Sequence, residues 1–199
     1  MIVEELKKLK RNNSYSVVID GESYIFDEDV ILEYKLLKGH EIDSSILAEA
    51  KKKNDIMEYY HKALDYSIKY GKGEGATLEY LVNKGLSLAE GKRIVRMLVD
   101  NKIINDRALL ESQLDALVRH KYGRLYIKEK LRERKFSLEL IDEALDKIDY
   151  EEYYNNMNIL YNEALKKYKG DSYIINAKAK KHLLSRGFTF DDLNRLKTE

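Results

Sequence analysis

The stretch RHKYGRLYIKEKLRERKF, residues Arg119–Phe136, combines a helical pattern with the densest positive charge of the chain. It contains two acidic residues, Glu129 and Glu133, and eight basic residues: Arg119, Lys121, Arg124, Lys128, Lys130, Arg132, Arg134 and Lys135. The whole chain of 199 residues has a formal net charge of only +1, so the charge is distributed unevenly. Such a distribution indicates a surface that meets an anionic partner.

The same stretch contains one copy of a pattern that occurs three times. Each copy has an apolar helix end, a base, a Gly or Lys where the helix stops, a bulky apolar residue, and a Ser or Thr that can cap a following helix. The copies lie 50 and then 52 residues apart: Leu81–Ser87 (LVNKGLS), Leu131–Ser137 (LRERKFS) and Leu183–Thr189 (LLSRGFT). Another helix precedes each copy, so the pattern predicts three tandem units of three helices.

The N-terminal part differs from these units. Two β-rich runs, Ser14–Asp20 and Glu22–Phe26, flank an Asp20-Gly21 pair, which predicts a hairpin. Asp27–Asp29 offers an N-cap for a short helix over Val30–Leu37, and Gly39 is placed to end that helix.

The predicted fold is therefore mainly α, with three three-helix repeats in an elongated array after a small β-hairpin and helix. A single unit of this size buries little apolar surface, and stacked neighbours share a core. The predicted boundaries are 1–45 for the N-terminal unit, 46–106 for repeat 1, 107–152 for repeat 2 and 153–199 for repeat 3.

Composition restricts the class of protein. The chain is 36% charged and 44% hydrophobic, has no Cys and has no apolar run of membrane-spanning length, so a folded cytoplasmic protein without disulfides or thiolate metal sites is expected. The cluster Gly71–Gly75 lacks the Lys-Ser/Thr of a phosphate loop. The four histidines are scattered, and no carboxylates form a catalytic motif. We therefore expect no enzymatic activity, no metal and no cofactor.

Two basic clusters are the candidate binding residues. Arg124, Lys128 and Arg132 recur every four residues and share one face of a helix. A second cluster in repeat 3 occupies a comparable position, and a face that only meets solvent is the alternative for both clusters. Lysines and arginines would neutralise phosphates, and tyrosines within the basic stretch could stack on bases. The candidate site is Arg119, Lys121, Tyr122, Arg124, Tyr126, Lys128, Arg132, Lys178, Lys180 and Lys181.

Residues of repeat 2 carry a resemblance to a known family. Residues 102–110 (KIINDRALL), residues 121–127 (KYGRLYI) and Leu131–Ser137 follow the second-unit pattern of the RecX family, regulators of the RecA recombinase. Residues 1–40 resemble the extension of the low-GC Gram-positive branch, so the resemblance covers essentially the whole chain. Asn105 departs from the family's first Asp, and Lys135 departs from its helix-ending Gly.

The resemblance implies a non-enzymatic modulator that lies in the groove of the filament of RecA on single-stranded DNA. There it would reduce filament growth, ATP turnover and strand exchange. The chain is expected to be a monomer that does not bind a membrane. The alternative is an independent DNA-binding protein that uses its three-helix units as helix-turn-helix modules. A third reading is a scaffold that has no contact with nucleic acid.

Overall fold

A computed structural model describes residues 1–10 and 13–196 of the chain. The N-terminal part contains an antiparallel sheet of three strands in the order β1 (Val3–Lys8), β2 (Ser14–Ile19) and β3 (Glu22–Asp27). The predicted hairpin is β2–β3, and Asp20 and Gly21 both have positive φ angles, 47° and 80°, at its turn. Strand β1 was not predicted from the sequence. It pairs with β2 and extends the hairpin to a three-stranded sheet.

The short helix with an N-cap among Asp27–Asp29 is present, but it begins two residues earlier than the predicted Val30 and ends at Glu33. Helix α1 spans Glu28–Glu33, because the Asp27 side chain accepts the Asp29 N–H and starts the helix earlier. The chain then turns at Lys35, where φ is 52°, well before Gly39. This turn directs Leu36 into the core, where it is fully buried.

Three groups of three helices follow in the described part of the chain, and the predicted architecture is confirmed. Their bounds are α2 (Ser44–Tyr70), α3 (Glu74–Asn83) and α4 (Leu88–Asp100); α5 (Asp106–Arg119), α6 (Arg124–Glu133) and α7 (Leu138–Leu145); α8 (Tyr150–Lys167), α9 (Ser172–Ser185) and α10 (Phe190–Leu193). None of the helices in residues 1–10 and 13–196 is long and apolar enough to cross a lipid bilayer.

The repeated turn has the same geometry in each group. The second residue after the second helix of each group has a left-handed backbone, with φ between 69° and 100° at Gly85, Lys135 and Gly187. A hydroxyl then caps the third helix, as when Ser87 accepts the Glu90 N–H. Lys135 thus adopts a conformation that favours glycine, the residue found at the equivalent position of the other two groups.

The buried side chains form two separate hydrophobic cores. The first joins the sheet to α1–α4 and includes Phe26, Ala50 and Leu98, while the second joins α5–α10 and includes Ile127 and Tyr153. The accessible surface is 12916 Å². A compact monomer of this mass would expose about 9,700 Å². The large surface and the divided core agree with an elongated array. The boundaries between the four predicted units stay a prediction.

Candidate nucleic-acid interface

The predicted cationic face of α6 lies largely against α7. The Arg124 guanidinium pairs with Asp146 (Nη2–Oδ1 3.1 Å) and also donates to the Tyr150 hydroxyl. One turn further along, the Lys128 ammonium pairs with Asp142 (Nζ–Oδ1 2.5 Å). These two cations therefore link two helices of repeat 2, and their charges are already partly neutralised by the protein.

The remaining cations of this stretch differ in their surroundings. Arg132 is exposed and pairs with Glu129 on its own helix (3.4 Å), and Lys121 pairs with Glu163 of α8 (3.4 Å). Arg119 is exposed at the end of α5 and has no ion pair within the part of the chain that the structure describes. Of these three predicted contacts, Arg119 carries the charge that is most available to a ligand.

Tyr122 and Tyr126, the predicted stacking residues, stack on each other. Their ring centroids are 4.1 Å apart with 14° between the planes. The Arg186 guanidinium lies 4.1 Å from the Tyr122 ring centre, and the Lys130 ammonium lies 5.5 Å from that of Tyr126. Arg186 also donates to the His120 carbonyl, so this cluster fastens repeat 3 to repeat 2. Both rings are half-buried and already have partners.

The predicted lysines of α9 are more accessible than most of the cations of α6. Lys178, Lys180 and Lys181 are all exposed, and none makes an ion pair with the described residues. Their helix packs through Ala179 and Leu183, both fully buried. The opposite face of α9 therefore presents positive charge that no acid among residues 1–10 and 13–196 neutralises.

A third cationic surface was missed by the sequence analysis. Lys92, Arg93 and Arg96 of α4 are exposed and have no ion pair among residues 1–10 and 13–196. They line one wall of a groove of about 1040 Å³ between repeats 1 and 2. The spacing i, i+1, i+4 around the buried pair Ile94 and Val95 was the signal that could have revealed this face.

The other wall of this groove is rich in acids. Asp106 accepts the Glu74 backbone N–H (2.8 Å) at the start of α3, where Gly73 offers no side chain as a cap. Burial raises the pKa of the Asp106 carboxyl, and burial together with the charge of Asp106 raises the pKa of Glu74. Glu139 and Glu143 of α7 continue the wall. Cations and acids thus both line the groove, which weakens its attraction for a polyanion.

No family model matches the chain. A regulatory protein RecX of Clostridium perfringens (strain SM101 / Type A) is 29% identical over 98% of this chain and 93% of its own length. One of Halalkalibacterium halodurans is 24% identical over 94% of this chain and 74% of its own length.

A crystal structure of regulatory protein RecX matches with a TM-score of 0.84 at 21% identity, and covers 100% of this chain and 99% of the other. In sequence and in fold, the chain is similar to regulatory proteins named RecX. A second RecX structure, from Lactobacillus salivarius, matches over 70% of this chain with a TM-score of 0.65. The array of three-helix units is therefore shared with solved RecX structures.

The RecX relatives differ in length. The chain spans only 62% of the RecX of Geobacillus sp. (strain WCH70), with which it is 26% identical over 83% of its own residues. All of these relatives are named regulatory proteins. Among the residues that the structure describes, no group of three or more His, Cys, Asp or Glu side chains could hold a metal ion.

Proposed function

We propose that this chain binds the filament that RecA forms on single-stranded DNA and lowers its ATP turnover and strand exchange. The observation that carries the proposal is the similarity to regulatory proteins named RecX along essentially the whole chain, together with the shared fold. The proposal assigns no chemical step to the chain itself, which acts as a non-enzymatic regulator and as a monomer.

The distribution of charge supports binding along a polymer. Cations without an ion pair to any described residue occur on α4 and on α9, which belong to the first and third repeats and to different hydrophobic cores. An elongated array can place such separated charges on successive parts of a filament. Since each phosphate or acidic contact releases counterions, the binding should weaken steeply with salt.

A gel-shift assay with single-stranded DNA, in the presence and absence of RecA, tests this proposal. We expect the chain to shift the RecA–DNA complex further and to slow RecA's DNA-dependent ATP turnover at equimolar or lower ratios. An unchanged ATP turnover at saturating protein and low salt would contradict the proposal. Binding to DNA alone, with no effect on RecA, would instead favour an independent DNA-binding protein.

A further inference from the structure

Tyr173, in the first turn of α9, is the most exposed large apolar or aromatic side chain in the described part of the protein. Its exposed fraction is 84%, whereas Tyr153 and Tyr161 of the neighbouring α8 are buried. No other ring and no cation contacts the Tyr173 ring among residues 1–10 and 13–196. An aromatic ring with both faces in water is available to stack on a flat partner.

The helix places cations on the same side as this ring. Successive turns bring Ala177, Lys180 and Lys181 close to the direction of Tyr173, since these residues follow it at i+4, i+7 and i+8. All of them are exposed, and the small side chain of Ala177 leaves open space between the ring and the two ammonium groups. Lys178, at i+5, lies outside this face.

The segment before α9 adds further positive charge. Lys166, Lys167 and Lys169 precede Tyr173 within seven residues, are exposed and make no ion pair with the described residues. Asp171 is the only acid between residues 166 and 186. The local field around Tyr173 is therefore strongly positive, although the chain as a whole is almost neutral.

An unpartnered ring beside unpaired lysines has the chemistry that recognises single-stranded nucleic acid. Unpaired bases can stack on the ring while phosphates approach the ammonium groups, whereas bases within a duplex already stack on each other. An acidic protein surface would meet the lysines, whereas a ring with both faces exposed favours a flat partner that can stack on it. Tyr122 and Tyr126 do not compete for this role, because they stack on each other and meet Arg186 and Lys130.

We propose that α9 carries a binding site for single-stranded DNA, in which Tyr173 stacks on an unpaired base and Lys180 and Lys181 contact the adjacent phosphates. The site deepens the proposed function and rests on it for its biological setting, because the DNA of the filament is single-stranded. The site itself binds free single-stranded DNA without RecA.

A single tryptophan tests the stacking directly, because the chain contains none. In the full-length variant Tyr173→Trp, titration with an unlabelled deoxythymidine oligonucleotide should quench the indole fluorescence in a saturable, salt-sensitive way. The matched control is Ile25→Trp, at a residue 62% exposed on β3, which should show no saturable quenching. A duplex of equal length should quench Tyr173→Trp far less. Absence of quenching by the single strand, or equal quenching by the duplex, would overturn the site.

Substitutions then separate the ring from the charge. Tyr173→Ala should weaken the binding of a fluorescent deoxythymidine oligonucleotide about tenfold, while Tyr173→Phe should keep it. Replacing Lys180 and Lys181 with Gln should reduce both the affinity and its salt dependence. An unchanged affinity of Tyr173→Ala would contradict the proposal. If the substitutions leave DNA affinity unchanged while the chain still slows RecA, the site is wrong and the proposed function stands. If the substitutions weaken DNA binding as expected but the chain does not slow RecA, only the proposed function is wrong.

Discussion

At the scale of single residues, glycines set how closely the repeats approach. A Cβ at Gly123 would overlap the backbone of Gly187, and one at Gly75 would overlap the carbonyl of Lys135. The Gly123 N–H also donates to the Arg186 carbonyl (2.9 Å). The start of the second helix in one repeat thus docks on the turn of the next repeat, and this contact recurs along the array.

We expect Gly123→Ala to lower the free energy of unfolding by about 1–3 kcal/mol or more, because neither backbone can move without shifting a whole helix. The matched control is Gly91→Ala inside α4, where a Cβ would meet only the flexible Leu78 Cδ1 at 2.9 Å. There the gain in helix propensity offsets the contact. Urea unfolding followed by circular dichroism measures both variants. Equal stabilities would show that the repeats can separate at Gly123 without cost.

At the scale of elements, Arg124 and Lys128 of α6 form ion pairs with Asp146 and Asp142, although the sequence alone assigns both cations to ligand binding. The Lys128 and Asp142 side chains are 40% and 53% exposed, so their pair is worth at most about 1 kcal/mol. Lys128→Glu should lower the stability by an amount within this limit. The charge swap Lys128→Glu with Asp142→Lys should restore it.

The swap also separates a structural from a binding role of Lys128. Because it keeps the local charge, we expect the swapped variant to retain the salt dependence of binding to the RecA–DNA filament. Lys180→Glu, at a residue without an ion pair, should reduce that dependence. A salt dependence that falls in the swapped variant as much as in Lys180→Glu would assign Lys128 to the binding surface, as the sequence predicted.

Local features of the fold could be predicted from the sequence. The Asp20-Gly21 turn and the capping residues Ser87 and Thr189 are encoded within four residues, so the hairpin and the repeat register follow from short motifs. Strand β1 could not be predicted, because the polar run VEELKK of Val3–Lys8 becomes a strand only by pairing with β2.

The candidate site was predictable only in part, because the availability of a charge depends on tertiary partners. The sequence shows Lys128 and Lys180 as equivalent bases, yet only the fold brings Asp142 to Lys128 and leaves Lys180 unpaired. The same holds for the aromatic residues. Tyr122 lies in the most basic stretch and is covered, whereas Tyr173 lies outside it and is exposed.

At the scale of the whole molecule, the two hydrophobic cores share no buried residue, and they are joined by polar contacts and by the close backbone approach of Gly75 to Lys135. Asp106 caps α3, and Lys135 of repeat 2 pairs with Glu79 of repeat 1 (Nζ–Oε1 3.0 Å). Both partners of that pair are about half exposed, so it contributes at most about 1 kcal/mol. Residues 101–105 join α4 to α5. The energetic coupling between the two halves of the array is therefore small compared with the stability of either core.

Weak coupling predicts that the two halves unfold separately. Cooperative all-or-none unfolding requires a shared core, and here no buried residue belongs to both cores. Tyr34 packs on the first core and Tyr168 on the second, so Tyr34→Trp and Tyr168→Trp supply one fluorescent reporter for each half. We expect their urea transitions to have different midpoints, and circular dichroism of either variant to show both transitions. Coincident transitions by all three probes would show that the polar junction couples the halves into one cooperative unit, with the groove between repeats 1 and 2 held at a fixed width.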